Sequence, residues 1–174
     1  MLPVYMANNF ATLLGGGRPL DGGRLFFDGK RVLGDHKTVN GFVLGTLGGM
    51  AVAVLQAVIA PSLAPYLPGT AASYPFLAMP PAAIVALPLG ALAGDAVKSF
   101  FKRRLGIPGG ARWPVADQLD FVLGAWVLCF MVSPGWFAAC FTPAVMLVII
   151  IMTFPLQYFH NVIAVALGKK KVRW

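Results

Sequence analysis

Glutamate is absent from this chain of 174 residues, and histidine and cysteine occur only twice each. Charged residues make up 11% of it, against roughly a quarter in an ordinary soluble domain. His36 and His160 stand far apart, so no zinc site is indicated. Cys129 and Cys140 both sit in apolar runs and read as small buried hydrophobes rather than a disulfide. The GGG at 15–17 lacks the Gly-Lys-Ser/Thr ending of a P-loop, and no Ser/His/Asp triad can be assembled. The N-terminus has no basic stretch, so no cleavable leader is expected. Internal repeats and low-complexity tracts are missing too. Lysine and arginine vanish altogether from residues 38–97 and 113–168.

What remains is apolar. Hydrophobic residues account for 58% of the chain, and its mean hydropathy is +0.75. Long apolar runs cover roughly 38–60, 74–97, 117–133 and 136–167, each near or above the length that crosses a bilayer. Pro143 and Pro155 offer places for the last one to kink or break. Residues 1–17 would rise only about 24 Å as a helix, short of a hydrocarbon core of about 30 Å. Counted as a span, they make five. The reading is an all-α polytopic membrane protein of about five transmembrane helices, one integral-membrane catalytic domain over residues 1–174. Gly41, Gly45 and Gly49, and again Gly90 and Gly94, recur at four-residue spacing and predict close helix packing. The Pro-, Gly- and Ser-rich stretch 60–75 reads as an outer loop.

The net charge of +8 points to membrane orientation rather than nucleic acid. Arg18, Arg24, Lys30, Arg31 and Lys37 share one loop; Lys98, Lys102, Arg103, Arg104 and Arg112 share a second; Lys169, Lys170, Lys171 and Arg173 form the tail. With five alternating spans all three segments fall on one side. The positive-inside rule makes that side cytoplasmic and leaves the N-terminus outside.

The six acids, all aspartate, lie in or at the edges of the two basic loops. Asp21 and Asp28 precede glycines and suit turns. Asp95 opens the series Asp95, Lys98, Ser99, Lys102, whose spacings put all four on one helical face. Asp117 and Asp120 stand one turn apart at the start of the next apolar run. A purely structural account has Asp95 pairing locally with Lys98 or Ser99 and Asp117 capping its helix. A functional account has the acids converging, since the connection between the two runs is short. Carboxylates among Lys98, Lys102, Arg103 and Arg104 suit Mg²⁺ bound through carboxylates and phosphate oxygens. That chemistry is phosphoryl or nucleotidyl transfer at the cytoplasmic face of a membrane.

The runs LDGGRLFFDGKRVLGDHKTVNG (20–41) and GDAVKSFFKRRLGI (94–107), with PVADQLDFVLG (114–124), resemble the archaeal CDP-archaeol synthase family, and more distantly the CDP-diacylglycerol synthases. Lys37-Thr38-x-x-Gly41 is similar to a Lys-Thr-x-x-Gly of the bacterial enzymes. Gly94-Asp95, Ser99 and Lys102-Arg103 are similar to their Gly-Asp-x-x-x-Ser-x-x-Lys-Arg signature, and Asp117 and Asp120 match its closing acids. The bacterial Gly-His-Gly-Gly is replaced by GARWPVA, which fits a lipid other than diacylglycerol phosphate. Tyr5, Ala7 and Asn8 resemble the family's N-terminal Tyr-x-Ala-Asn.

The resemblance implies that CMP passes from CTP to a phosphorylated isoprenoid glycerol diether, releasing pyrophosphate. It implies Asp95, Asp117 and Asp120 as Mg²⁺ ligands. Lys37, Lys98, Lys102 and Arg103 would contact CTP, with Thr38, Asn40 and Ser99 beside it. Lys37, Asp95, Lys98, Asp117 and Asp120 are the implied catalytic set, and the lipid tails would occupy a groove open to the bilayer. A CTP-dependent polyprenol kinase is the alternative enzyme. A transporter or scaffold is the alternative outside catalysis, but no ionisable residue lies in the middle of a long span. No feature of the sequence speaks to oligomeric state.

Overall fold

The structure, a computed structural model, describes residues 1–68, 74–108, 111–166 and 168. The described residues form α1 (Leu2–Leu14), α2 (Val39–Ile59), α3 (Pro81–Arg104), α4 (Ala116–Val132), α5 (Pro134–Cys140) and α6 (Pro143–Ala166). No strand occurs among them beyond two isolated bridges, Pro19 with Thr38 and Leu25 with Arg31. The basic tail from Lys169 onward lies outside the described residues, as do 69–73 of the expected outer loop.

Among the described residues, three helical stretches are long and apolar enough to cross a membrane: Val39–Tyr66, Pro81–Arg104 and Pro143–Ala166. Their ends differ from the sequence reading where proline and capping chemistry intervene. Thr38 caps α2, its hydroxyl accepting the Gly41 N–H at 3.1 Å. Beyond α2 the expected loop winds into a 3₁₀ helix, Ala60–Tyr66, seeded by Pro61. The span expected from residue 74 begins instead at Pro81, because a residue preceding proline avoids the helical region and Pro80 precedes Pro81. The long run 136–167 divides, α5 ending at Cys140 and α6 starting at Pro143, while Pro155 is carried inside α6. α1, 13 residues, rises about 20 Å and α4, 17 residues, about 26 Å.

Small residues set the packing. Gly41, Gly45 and Gly49 are buried along α2 against α1, where a Cβ on Gly45 would lie 2.8 Å from both the Ala7 oxygen and the Ala11 Cβ. Val4, Ala53, Leu87, Phe121, Trp126 and Cys129 form the core between α1, α2, α3 and α4. Tyr5 reaches α6 through its hydroxyl, 2.8 Å from the Thr153 Oγ1. The opposite face of α2 leaves Val43, Leu47, Val54 and Val58 exposed, an arrangement stable only if hydrocarbon covers it.

Candidate active site

α3 and α4 touch backbone to backbone. A Cβ on Gly90 would lie 2.6 Å from the Gly124 oxygen, and one on Gly94 would collide with the Asp120 carbonyl. This contact brings Asp95, next to Gly94, alongside Asp120, one turn before Gly124. Lys98 fills the space between them. Its ammonium lies 3.0 Å from Asp95 Oδ1, 3.1 Å from Asp117 Oδ1 and 2.8 Å from Asp120 Oδ2. Lys102, one turn on, donates to both Asp117 oxygens at 2.9 and 3.0 Å. Lys37 arrives from the loop before α2 and pairs with Asp95 Oδ2. Three carboxylates and three ammonium groups thus balance one another in a nearly closed cluster. Ser99 contributes no carboxylate contact; its hydroxyl donates to the Asp95 backbone oxygen at 2.9 Å.

The cluster forms one wall of a cavity of about 1520 Å³, large enough for a nucleoside triphosphate and a lipid headgroup together. Arg103 and His36 line it beside the cluster, and Asn8, Thr12, Gln157 and Asn161 line it from α1 and α6.

Among the described residues no three His, Cys, Asp or Glu side chains form a ready metal cage. The donor chemistry nevertheless suits a hard cation, since three carboxylates point at one position and that position already holds a positive charge. Asp120 Oδ2 is buried and outside hydrogen-bond geometry despite its 2.8 Å approach to Lys98. It is the oxygen with most to gain from a further cation.

Residues 1–174 match the model of the CarS-like family, described as CDP-archaeol synthase. The chain belongs to the CDP-archaeol synthase family. The CDP-archaeol synthase of Methanocella arvoryzae is 47% identical over 186 residues, and that of Methanosarcina mazei 42% over 178, each match covering 100% of both chains. A solved structure described as an intramembrane enzyme for archaeal membrane lipid biosynthesis is similar as well. It is 35% identical with a TM-score of 0.74, over 93% of this chain and 90% of that one. With its apolar helices, this CDP-archaeol synthase family member is a membrane protein.

Of the residues singled out from sequence, Lys37, Thr38, Asp95, Lys98, Ser99, Lys102, Arg103, Asp117 and Asp120 all border the cavity. Asn40 is not among the lining residues and faces outward beside Gly17. Thr38 borders it while capping α2, its hydroxyl also accepting the Gly16 N–H at 3.1 Å. Asp117 has a structural partner too: Trp113 N–H donates to its Oδ2 at 2.7 Å. That contact depends on Val115, whose φ of +68° is strained for a β-branched residue. Nothing in the local sequence announces it.

The loop carrying Lys37 has its own hub, which sequence reasoning treated only as a turn. The Asp21 side chain is 1% exposed and accepts from Arg31 Nη2 at 2.7 Å, from Leu33 N–H at 2.9 Å and from Gly34 and Gly23 N–H, both at 3.0 Å. Arg104 closes the other side, pairing with Asp28 at 3.1 Å while its guanidinium lies 4.7 Å from the centroids of both the Phe26 and Phe100 rings. Burial by itself would push the Asp21 carboxyl upward. The Arg31 guanidinium and the amides of Gly34, Leu33 and Gly23 outweigh it and hold the group well below the usual carboxylate range. A carboxylate depressed in the folded state contributes fully above its unfolded value of about 3.9, and the contribution fades as pH falls toward the lower folded value. Amide-exchange protection at Leu33 and Gly34 is therefore expected to stay level from neutral pH to about 5 and to collapse only in strong acid. Asp21→Asn should lower that protection at neutral pH by about tenfold or more, since a bond to a charged group contributes about 1.5–3 kcal/mol.

Proposed function

We propose that this chain transfers CMP from CTP to the phosphate of an isoprenoid glycerol diether, yielding the CDP-linked lipid and pyrophosphate. The observation that carries the reading is the interlocked set Asp95, Asp117, Asp120, Lys37, Lys98 and Lys102 on the wall of a large cavity in a membrane protein of this family.

An oxygen of the lipid phosphate is the nucleophile and attacks the α-phosphorus of CTP. The bond from that phosphorus to the β-phosphate oxygen breaks, and its electron pair leaves with pyrophosphate. No protein nucleophile is required, because the attacking group is already an anion. The barrier lies in bringing two anions together and in the charge that builds on the leaving group. Lys37, Lys98, Lys102 and Arg103 would offset that charge, each ammonium exchanging a carboxylate partner for a phosphate oxygen. Ser99 and Thr38 would stand beside the nucleotide, while Asn40 lies outside the cavity wall. Asp95, Asp117 and Asp120 would hold Mg²⁺, which when bound supplies charge neutralisation across the phosphates. Occupying the carboxylates in this way frees the lysines for the nucleotide.

The same reading has α1 and α4 complete five crossings of one integral-membrane domain, with the cavity cytoplasmic and the N-terminus outside. The grouping of basic residues beside α2 and α3 supports that orientation.

The deciding assay uses purified protein, Mg²⁺, a phosphorylated archaeal-type diether and CTP labelled at the α- or γ-phosphate. Label from the α position should enter the lipid. Transfer of γ label to a lipid alcohol instead means a kinase, and no transfer to any isoprenoid acceptor leaves the loops as membrane anchors. Asp117→Asn should reduce α transfer by about 10²-fold or more while the protein remains folded by thermal melting. Turnover near normal in that variant would remove Asp117 from the metal set.

A further inference from the structure

The loop between α1 and α2 carries three consecutive apolar residues, Leu25, Phe26 and Phe27, in an otherwise polar segment. The backbone folds them into a tight hairpin: Phe26 N–H donates to the Lys30 oxygen at 2.8 Å and Gly29 N–H to the Phe26 oxygen at 2.9 Å. This presents the apolar side chains instead of tucking them inward. Leu25 is 62% exposed and Phe27 99%. Neither touches the cavity, so neither has a part in the chemistry described above.

Where the tip lies identifies what it meets. Phe27 packs at a tilt against Phe26 with ring centroids 4.9 Å apart, Phe26 meets Phe100 edge-on at 5.2 Å, and Phe100 meets Phe101 at 5.6 Å. This row of rings joins the hairpin to the outer face of α3, where Val97, Phe101 and Leu105 recur at four-residue spacing, each more than half exposed. That stripe continues the lipid-facing side of a membrane-spanning helix into the turn where Lys102, Arg103 and Arg104 end it. The tip therefore lies beside that basic turn. Arg24 and Lys30 are exposed beside the tip, Asp28 next to Phe27 is paired with Arg104 at 3.1 Å, and the Arg104 guanidinium lies 4.7 Å from the Phe26 ring centroid.

We infer that the hairpin at Leu25–Phe27 is an interfacial anchor, its aromatic tip lodged among the headgroups and upper acyl chains of the leaflet into which α3 emerges. Exposed aromatics flanked by basic residues fit an anionic lipid surface. A second copy of the chain fits poorly: Asp28 is already paired with Arg104, so a two-fold contact through this patch would bring two net-positive tips together. The anchor ties the loop that bears the Asp21 hub and Lys37 to the membrane plane.

Phe27→Trp in nanodiscs of anionic lipid tests the assignment, read as the emission difference from wild type with lipids brominated at successive depths. The expected result is a blue-shifted increment, quenched most by bromines near the glycerol end of the chains. Leu25→Trp should behave alike, which guards against a local disturbance at one position. An increment that no brominated lipid quenches overturns the anchor, whether its emission is water-like or blue-shifted by contact with protein. The readout needs neither CTP nor turnover, so it stands or falls apart from the proposed activity.

Discussion

Replacing Lys98 with methionine is expected to lower cytidylyl transfer by about 10²–10³-fold, the usual consequence of removing one well-placed electrostatic partner. Lys98 is the ammonium within about 3 Å of all three carboxylates, and its side chain is only 14% exposed. Methionine keeps most of the apolar stem, so packing along α3 changes little. The charges change a great deal. Lys37 still faces Asp95 and Lys102 still faces Asp117, but Asp120 loses its cation in a site where its carboxylate is 5% exposed. Breaking a buried pair from one side costs about 3–5 kcal/mol, and the surviving partners on the other two acids place this case at the lower end. A lowered melting temperature in detergent should accompany the lost activity.

Adding Mg²⁺ or Mn²⁺ should then raise that melting temperature more steeply in Lys98→Met than in wild type. In wild type the ammonium and a dication compete for the same oxygens, whereas in the variant the dication alone can stabilise them. Melting curves against metal concentration measure this without any turnover. If the variant retains turnover within a few-fold of wild type, the cluster is a helix clamp and not a reaction centre.

The second large effect is expected from a single uncharged methyl group placed where α3 and α4 touch. A Cβ on Gly124 would lie 2.6 Å from the Gly94 Cα and 2.8 Å from the Gly94 nitrogen, besides colliding with the Gly90 carbonyl. All three obstacles are backbone, so no side chain can turn aside and the two helices must separate. Overpacking of this kind costs about 1–3 kcal/mol. Its larger consequence falls on the site, because Asp95 and Asp120 are carried by the helices being forced apart. A shift of about 1 Å at reacting groups can cost about 10²-fold in rate. Gly124→Ala should therefore lose most activity while losing only part of its stability. Gly135, where an added Cβ meets nothing within 4 Å, is the control, and Gly135→Ala should be neutral in both measurements. Equal melting temperatures and equal rates for the two alanine variants would show that the helix contact is not needed.

Much of the site was readable because its residues repeat at helical spacing at the ends of apolar runs. Asp95, Lys98 and Lys102 had to share a face, and Asp117 and Asp120 had to open the next helix. The choice left open between local pairing and convergence resolves into both at once: Lys98 pairs with Asp95 within α3 and with Asp117 and Asp120 across to α4. Helix boundaries were less legible where proline acts on its predecessor, as at Pro80–Pro81, and where a loop continues as 3₁₀ helix, as at Ala60–Tyr66. Asp21 looked like a turn former and is one, but its burial under Arg31 depends on a loop path that no short-range pattern encodes.

By itself, then, the sequence determined the solvent and the chemistry. Apolar runs without compensating charge require a bilayer, and the aspartates lie in, or at the edges of, the two basic segments. Only the tertiary structure decided the pairing. Which ammonium sits among which carboxylates depends on α3 and α4 meeting at Gly90, Gly94 and Gly124, and on the Asp21 hub steering Lys37 across to Asp95. Periodicity records the direction a side chain takes from its own helix, but a distance between two helices exists only once they have packed.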